Sequence, residues 1–318
     1  MPQLTRRDFL KLSGLAAASL VLWEAGCAPR AQKGTALVAH RQAPTPTSDQ
    51  AYLAVAHGAD PAAILKAALA SLGGIERFVR TGQDVIIKPN ICVDYHPAEY
   101  ATTTNPIVVA TLVALCLGAG AKRVRVMDSP FAGISPNSAY AASGIQAAVK
   151  AAGGEMEVMS PIKFARFDIP QGKSITAWNI YRDALETDVL IDVPIAKNHS
   201  LARLTMGCKN LLGVVSDPNQ IHSDLNQRIP DLVSLIRPNL TIVDAFRILM
   251  DHGPTGGSLN DVKQAGVIIA SHDIIAADAY AATLFGMSGA DIPYLKKGAE
   301  MGLGMLDLSS LKVEEINV

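Results

Sequence analysis

From residue 51 onward, short runs of β-branched and aliphatic residues alternate with longer Ala-rich stretches. The runs Tyr52–His57, Asp84–Pro89, Arg123–Asp128, Asp188–Pro194, Leu240–Asp244, Ala265–Ala270 and Lys312–Val318 read as strands. Between them, Pro61–Leu72, Pro106–Leu117, Pro136–Ala152, Pro230–Ile236 and Ile274–Phe285 read as helices. Asn105 and Ser135 each precede a proline, a cap residue before a first-turn Pro. Gly118, Gly120 and Gly153 stand where those helices should stop. Apolar strands separated by helices imply an α/β fold, with a mainly parallel sheet covered by helices on both faces. Patterning is less regular over 153–187, a seam that can separate two lobes with a cleft between them.

The chain ahead of this 51–318 domain has a different character. Thr5-Arg6-Arg7-Asp8-Phe9-Leu10-Lys11 forms a twin-arginine motif, and a short apolar stretch follows from Leu12 to Trp23. Basic residues before an apolar run too short for a comfortable membrane span describe an export signal over residues 1–27. Ala25-Gly26-Cys27 resembles the end of a lipoprotein cleavage box, with Glu24 where an apolar residue is usual. Lipidation of Cys27, simple cleavage and an uncleaved anchor are the alternatives. Residues 28–50, rich in Pro and Thr, read as a solvated linker. The expected location is the cell envelope, in the periplasm or on the outer face of the cytoplasmic membrane. The expected partner is the twin-arginine export machinery, and membrane contact is expected only through the N-terminal segment or a lipid. Because that route carries folded proteins, a cofactor loaded before export fits it; the sequence does not identify one.

Composition narrows the chemistry. The chain has 318 residues, 49% of them hydrophobic and 18% charged, enough for a large core. A formal net charge of -1 and 5% aromatic residues argue against nucleic acid as a partner. The four cysteines, Cys27, Cys92, Cys116 and Cys208, match no zinc or ferredoxin-type iron–sulfur spacing. Cys116 lies in an apolar run and reads as core. No glycine-rich dinucleotide or P-loop motif follows a strand.

Polar residues collect where strands run out, the usual ligand edge of an open α/β sheet. Lys88-Pro89-Asn90, Asp128-Ser129-Pro130, Lys197-Asn198-His199, Asp244 and Ser271-His272-Asp273 each end a strand or follow one. Singly, each reads as a structural feature; five together point to a site. Thr102-Thr103-Thr104-Asn105 precedes a helix start, where hydroxyls and free amides can hold an anion. If 205–212 is helical, Thr205 and Lys209 lie one turn apart on one face, with Asn210 beside them. Lys88, Lys197 and Lys209 would supply positive charge to a carboxylate or phosphate. His199 is the general acid–base candidate, or else a histidine that merely bonds the backbone. His222 with Asp224, and Asp251 with His252, can be read as metal ligands, although neither spacing is a recognised motif.

Together these segments resemble a family. Ile87-Lys88-Pro89-Asn90, the Thr-rich loop before Asn105-Pro106, Val126–Pro130 and Pro194–His199 carry the first part of the likeness. Lys209–Gly213, Val243-Asp244 with Gly253-Pro254, and Ala270–Asp273 with Ala277-Asp278 complete it. The chain is similar to the domain-of-unknown-function 362 family, in its twin-arginine-exported branch and without the ferredoxin module of some relatives. That resemblance implies no settled activity. It does set Cys92 and Cys208 beside family segments, where they can meet as metal ligands or as a disulfide. It also implies a histidine where this chain has Asn226.

The expectation is therefore an envelope enzyme acting on a small anionic substrate, with or without a metal or redox cofactor. Lys88, Asn90, Thr104, Asp128, Ser129, Lys209, Asn210 and Asp244 would bind, while His199 and Lys197 would do the chemistry. A tethered binding protein for a small anion or metal is the second reading. An assembly or electron-transfer partner of a membrane complex is the third.

Overall fold

The computed structural model describes residues Thr47–Val318, which fall within one compact unit. The twin-arginine segment, Cys27 and nearly all of the linker lie outside the described residues. No helix among the described residues is long and apolar enough to cross a membrane.

In chain order the elements are β1 (Leu53–His57), α1 (Pro61–Ser71), β2 (Asp84–Pro89), α2 (Pro106–Gly118), β3 (Arg123–Val126), α3 (Pro136–Ala142), α4 (Ile145–Ala151) and β4 (Glu155–Met156). They continue with β5 (Phe164–Asp168), β6 (Ala177–Tyr181), α5 (Arg182–Glu186), β7 (Val189–Val193), β8 (Ile195–His199), β9 (Arg203–Thr205) and α6 (Gly207–Asn210). Then come α7 (Pro218–Ile221), α8 (Leu225–Ile236), β10 (Leu240–Leu249), β11 (Val262–Ser271), α9 (Ile274–Thr283), α10 (Pro293–Glu300) and β12 (Val313–Asn317).

Ten strands form the main sheet in the order β12-β1-β11-β10-β7-β2-β3-β4, with β8 on the outer half of β10 and β9 beyond it. Most pairings are parallel, as the buried strands require; β11 runs antiparallel to both its neighbours, and β9 to β8. The fold is α/β, as the sequence predicts. Alternate residues of one strand enter opposite cores. Ile86 and Leu190 face the cluster that includes Ile229 and Ile275, whereas Val85, Ile87 and Ile191 face Ile64, Val109 and Leu112. Each fully buried aliphatic side chain contributes about 1.5–3 kcal/mol of transfer free energy, so both helical layers are firmly attached.

Helix starts follow their caps. Asp60 accepts the amide of Ala62 at 2.8 Å, and Asn105 that of Ile107 at 3.0 Å. Three expectations are corrected. Residues 136–152 are two helices, because Gly144 takes a left-handed conformation (φ 74°) and the Ser143 hydroxyl caps the restart at Ile145 N. The helix expected at Pro230 begins at Leu225 and carries Pro230 inside it. The segment 153–187 holds β4, the β5–β6 hairpin and α5, which its mixed pattern concealed.

One break shapes the site. Pro194 divides β7 from β8, and β10 is long enough to pair with both: Thr241 lies opposite Asp192, and Asp244 opposite Ile195. The β8–β9 pair therefore continues past the carboxyl edge of β2, β3 and β7. A polar floor forms in that angle.

Candidate functional site

At the carboxyl end of β2, Lys88 is buried with three partners around its ammonium. Asp128 Oδ1 lies 2.7 Å away, Asn210 Oδ1 2.8 Å and Pro89 O 3.0 Å. Lys197, on β8, is equally buried and donates to Asn90 Oδ1 at 2.8 Å, Thr102 O at 2.8 Å and Pro254 O at 3.0 Å. An ammonium has three N–H bonds. Lys197 has spent all three on hydrogen bonds, while Lys88 donates two and forms an ion pair with Asp128. Burial lowers the pKa of Lys197.

Two amides join them. Asn210 donates to Asp192 Oδ1 at 2.7 Å and to Lys88 O at 3.2 Å, and it receives Asn90 Nδ2 at 3.1 Å. Asp192 is fully buried; burial drives its carboxyl well above the usual range, and Oδ2 has no partner among the described residues. Burial thus disfavours the charged form of this carboxyl in the core. Burial also raises the pKa of Asp128, opposed by Lys88 and by the Ile91 amide at 2.6 Å. Lys88, Asn90, Lys197 and Asn210 are thus a nearly closed scaffold whose hydrogen bonds point inward.

Above that scaffold opens a cavity of about 350 Å³. Four of its lining groups are not consumed by the network. Lys209 has no hydrogen-bond or ion-pair partner among the described residues; burial first, then Lys197 and Lys88, push its pKa down to about 8. Thr205 is buried and its hydroxyl is unpartnered. His199 accepts the amides of Leu201 (3.1 Å) and Ala202 (3.2 Å) at Nδ1, so its proton sits on Nε2. Burial, Lys209 and Lys197 push its pKa down to about 3. His222 lies parallel to it, ring centroids 6.2 Å apart, and bonds Pro218 O through Nδ1 at 3.0 Å. That bond needs the proton on Nδ1, leaving a lone pair on Nε2. The two imidazoles therefore bring opposite polarity, one donor and one acceptor. Cys92 Sγ, 3.7 Å from Pro254 O, and the apolar Phe131 and Leu212 complete the wall.

Charge in this cavity is unbalanced. Asp128 is matched by Lys88, and Asp217 is an exposed rim residue. Lys197 and Lys209 have no carboxylate partner among the described residues. The interior is cationic.

Residues 85–283, more than half of the chain, match the family model described as Domain of unknown function (DUF362). The chain belongs to this family. Over 256 residues it is 27% identical to the thylakoid-associated protein sll1697 of Synechocystis sp., covering 76% of this chain and 75% of that protein. Two solved structures are similar to it in part. One, a structural-genomics target from Thermotoga maritima, has a TM-score of 0.46 and 14% identity, covering 72% of this chain and 60% of its own. The other is the lactate racemase apoprotein of Thermoanaerobacterium thermosaccharolyticum, with a TM-score of 0.44 and 13% identity, covering 80% and 58%. The chain thus spans less than two thirds of these two solved chains.

Within this DUF362 domain, Lys88, Asn90, Asp128, Ser129, Lys197, His199, Lys209 and Asn210 all line one cavity, along with Cys92 and His222. The others lie elsewhere. Asp244 is in the middle of β10, not at its end; its carboxylate takes the amides of Asn105 (2.7 Å) and Phe246 (3.1 Å), and burial pushes it up to about 6. In the Thr-rich loop the Thr103 and Thr104 hydroxyls are taken up by backbone, while Thr102 Oγ1 has no partner among the described residues. Thr104 Oγ1 binds Val193 O, and both Thr104 Oγ1 and Thr103 Oγ1 take backbone amides from 90–92. His272 packs on Tyr52 at the opposite edge, because β11 is antiparallel. Cys208 is turned to Asp278 in the core and does not pair with Cys92; both thiols are free. His252 is exposed and bonds Asp261 at 3.0 Å. Among the described residues no three His, Cys, Asp or Glu side chains gather as a metal site. Residues 205–212 are not one helix: Thr205 ends β9 and α6 starts at Gly207, yet Thr205 and Lys209 still meet at the cavity. Sequence reasoning missed Asp192, whose only signal is a lone carboxylate inside an apolar strand, and the Pro254 carbonyl.

Proposed function

We propose that the cavity binds a small organic anion and that its two histidines move a proton on it, making the protein an enzyme. One observation carries this reading: among the described residues Lys209 is the single cavity lysine with no protein partner, in an interior whose positive charge exceeds its negative. A half-buried cation without a carboxylate partner is poorly solvated, and a bound carboxylate offsets that cost. The Lys209 ammonium and the Thr205 hydroxyl receive the anion, helped by the His199 Nε2–H. Lys197, its donors already used, and Lys88, held by Asp128, act through their field and not by contact. His222 Nε2 takes a proton, and its neighbour His199 presents one; this pairing suits proton transfer next to a carboxylate.

Titration of Lys209 tests the reading. With specifically labelled lysine, NMR should show its pKa rising from about 8 when lactate or phosphate is added, because an anion favours the charged amine. An unchanged Lys209 titration across a panel of small anions would sink the idea.

The same proposal sets this chemistry in the cell envelope, supported by the Thr5–Lys11 segment. Replacing Arg6 and Arg7 together by lysine should retain the protein in the cytoplasmic fraction; unaltered fractionation would refute export by this route.

A further inference from the structure

Two of the three cavity lysines are held by protein partners, and the third has none among the described residues, with imidazoles of opposite polarity beside it. We propose that Lys209 is a nucleophile that captures the carbonyl carbon of a 2-oxo acid as an imine. The proposal rests on the anion-binding reading above and narrows its substrate class.

The geometry supplies each requirement in turn. An amine attacks only when neutral and unshared, and Lys209 makes no hydrogen bond among the described residues, whereas Lys88 and Lys197 each make three contacts. The charged and titratable groups facing it are Lys197, Lys88, Cys92, His199 and His222. Burial and two neighbouring lysines lower its pKa to about 8, which leaves part of it as neutral amine near neutral pH, a recognised way to make an amine nucleophilic. Those same lysines favour a substrate carboxylate next to the carbonyl. A cavity of about 350 Å³ with Phe131 and Leu212 on its wall takes a short acid with a modest apolar tail.

The chemistry balances without an added oxidant or reductant. The Lys209 nitrogen forms a C–N bond, and the carbonyl π pair moves to oxygen, which accepts a hydrogen bond from His199 Nε2. His222 Nε2 removes one proton from the nitrogen and delivers it to that oxygen, giving a neutral carbinolamine. A second proton, drawn from solvent through the partly exposed His222, lets the hydroxyl leave as water while the nitrogen lone pair closes the C=N bond. One proton is consumed and one water released. The resulting iminium withdraws electrons from the neighbouring carbon, the activation a proton-transfer site needs.

Reductive trapping tests this on the full chain. Glyoxylate, the smallest 2-oxo acid, is mixed with cyanoborohydride near about pH 8 and the modified lysines are located by peptide mass spectrometry. At that pH, a lysine with pKa about 8 holds about 100-fold more neutral amine than an ordinary one. Lys209 should therefore be carboxymethylated far ahead of the exposed Lys66 and Lys150, and lactate should slow its labelling. In the Lys209→Arg protein the fast-reacting fraction should vanish. Labelling of Lys209 no faster than Lys66 would overturn the proposal. Lactate binding, measured in parallel, separates the two ideas: lactate bound without Lys209 capture removes only the imine, whereas neither event removes both.

Discussion

The Asn210 side chain donates to Asp192 Oδ1 at 2.7 Å, and that bond fixes which way its amide faces. Its oxygen must then point at Lys88 Nζ and Asn90 Nδ2, and Asn90 in turn presents its own oxygen to Lys197. A chain of oriented amides runs from the buried Asp192 carboxyl to the two lysines. Asn210→Ala should leave buried groups on Lys88, Asn90 and Asp192 short of partners. The expected loss is on the order of 3 kcal/mol in denaturant unfolding. Asp192→Asn keeps the accepting oxygen and should cost less than about 1 kcal/mol. A large loss in that second variant would mean Asp192 is ionised, contrary to its setting.

Close packing over the same pair supports another test. A Cβ at Gly213 would overlap Asp128 Oδ1 and lie 2.6 Å from Lys88 Nζ. Lys88 cannot swing aside cheaply, because three acceptors hold its tip. Gly213→Ala should therefore destabilise the fold by about 1–3 kcal/mol, as overpacking of a rigid interior does. It should also blunt the response of Lys209 to added anions. Wild-type melting and binding in this variant would show that the scaffold can yield.

Much of this site was legible in the sequence for a simple reason. Polar residues following β-branched runs have few uses except at the carboxyl edge of a parallel sheet, so Lys88 and Asp128 were visible as ligand-edge residues. Direction was not legible. β11 has the same composition as a parallel strand, and only its antiparallel pairing reveals that His272 points away. Extent was hidden too: Asp244 looked terminal because β10 continues through Ala245-Phe246-Arg247, a stretch that reads equally well as a loop. Lys197 and His199 were expected in a loop but sit on β8, whose existence depends on the overlong β10 beyond Pro194. The division of labour among the lysines was beyond sequence reading altogether. It depends on which ammonium runs out of nearby carbonyls, a purely three-dimensional count.

The lowered pKa of His199 has a consequence for acid stability. Its folded value is pushed down to about 3 from an ordinary 6.5. Below about pH 6.5 the unfolded chain takes up a proton that the folded one refuses, so this residue's contribution is present above that pH and lost as pH falls towards 3. The slope is at most about 1.4 kcal/mol per pH unit. His199→Gln removes the titration, so its stability deficit relative to wild type should shrink between about pH 6.5 and 4. Urea unfolding of both proteins at several pH values reads this directly. A constant deficit would mean His199 is protonated normally.

The three described cysteines should separate cleanly by reactivity. Cys92 lines the cavity near Lys197, whereas Cys116 and Cys208 are buried in the cores. Burial pushes the Cys116 thiol up to about 12, and burial with Asp278 raises Cys208 well above the usual thiol range. Only thiolates alkylate, so in the native protein iodoacetamide should modify the Cys92 peptide first. The other two peptides should react only on unfolding. Because Cys92 shares the cavity with Lys209, an anion bound there should also protect it, and a bulky adduct on Cys92 should abolish the anion-linked titration of Lys209. If Cys208 reacts before Cys92, or adducts on Cys92 leave anion binding untouched, then the thiol and the amine do not share one chamber.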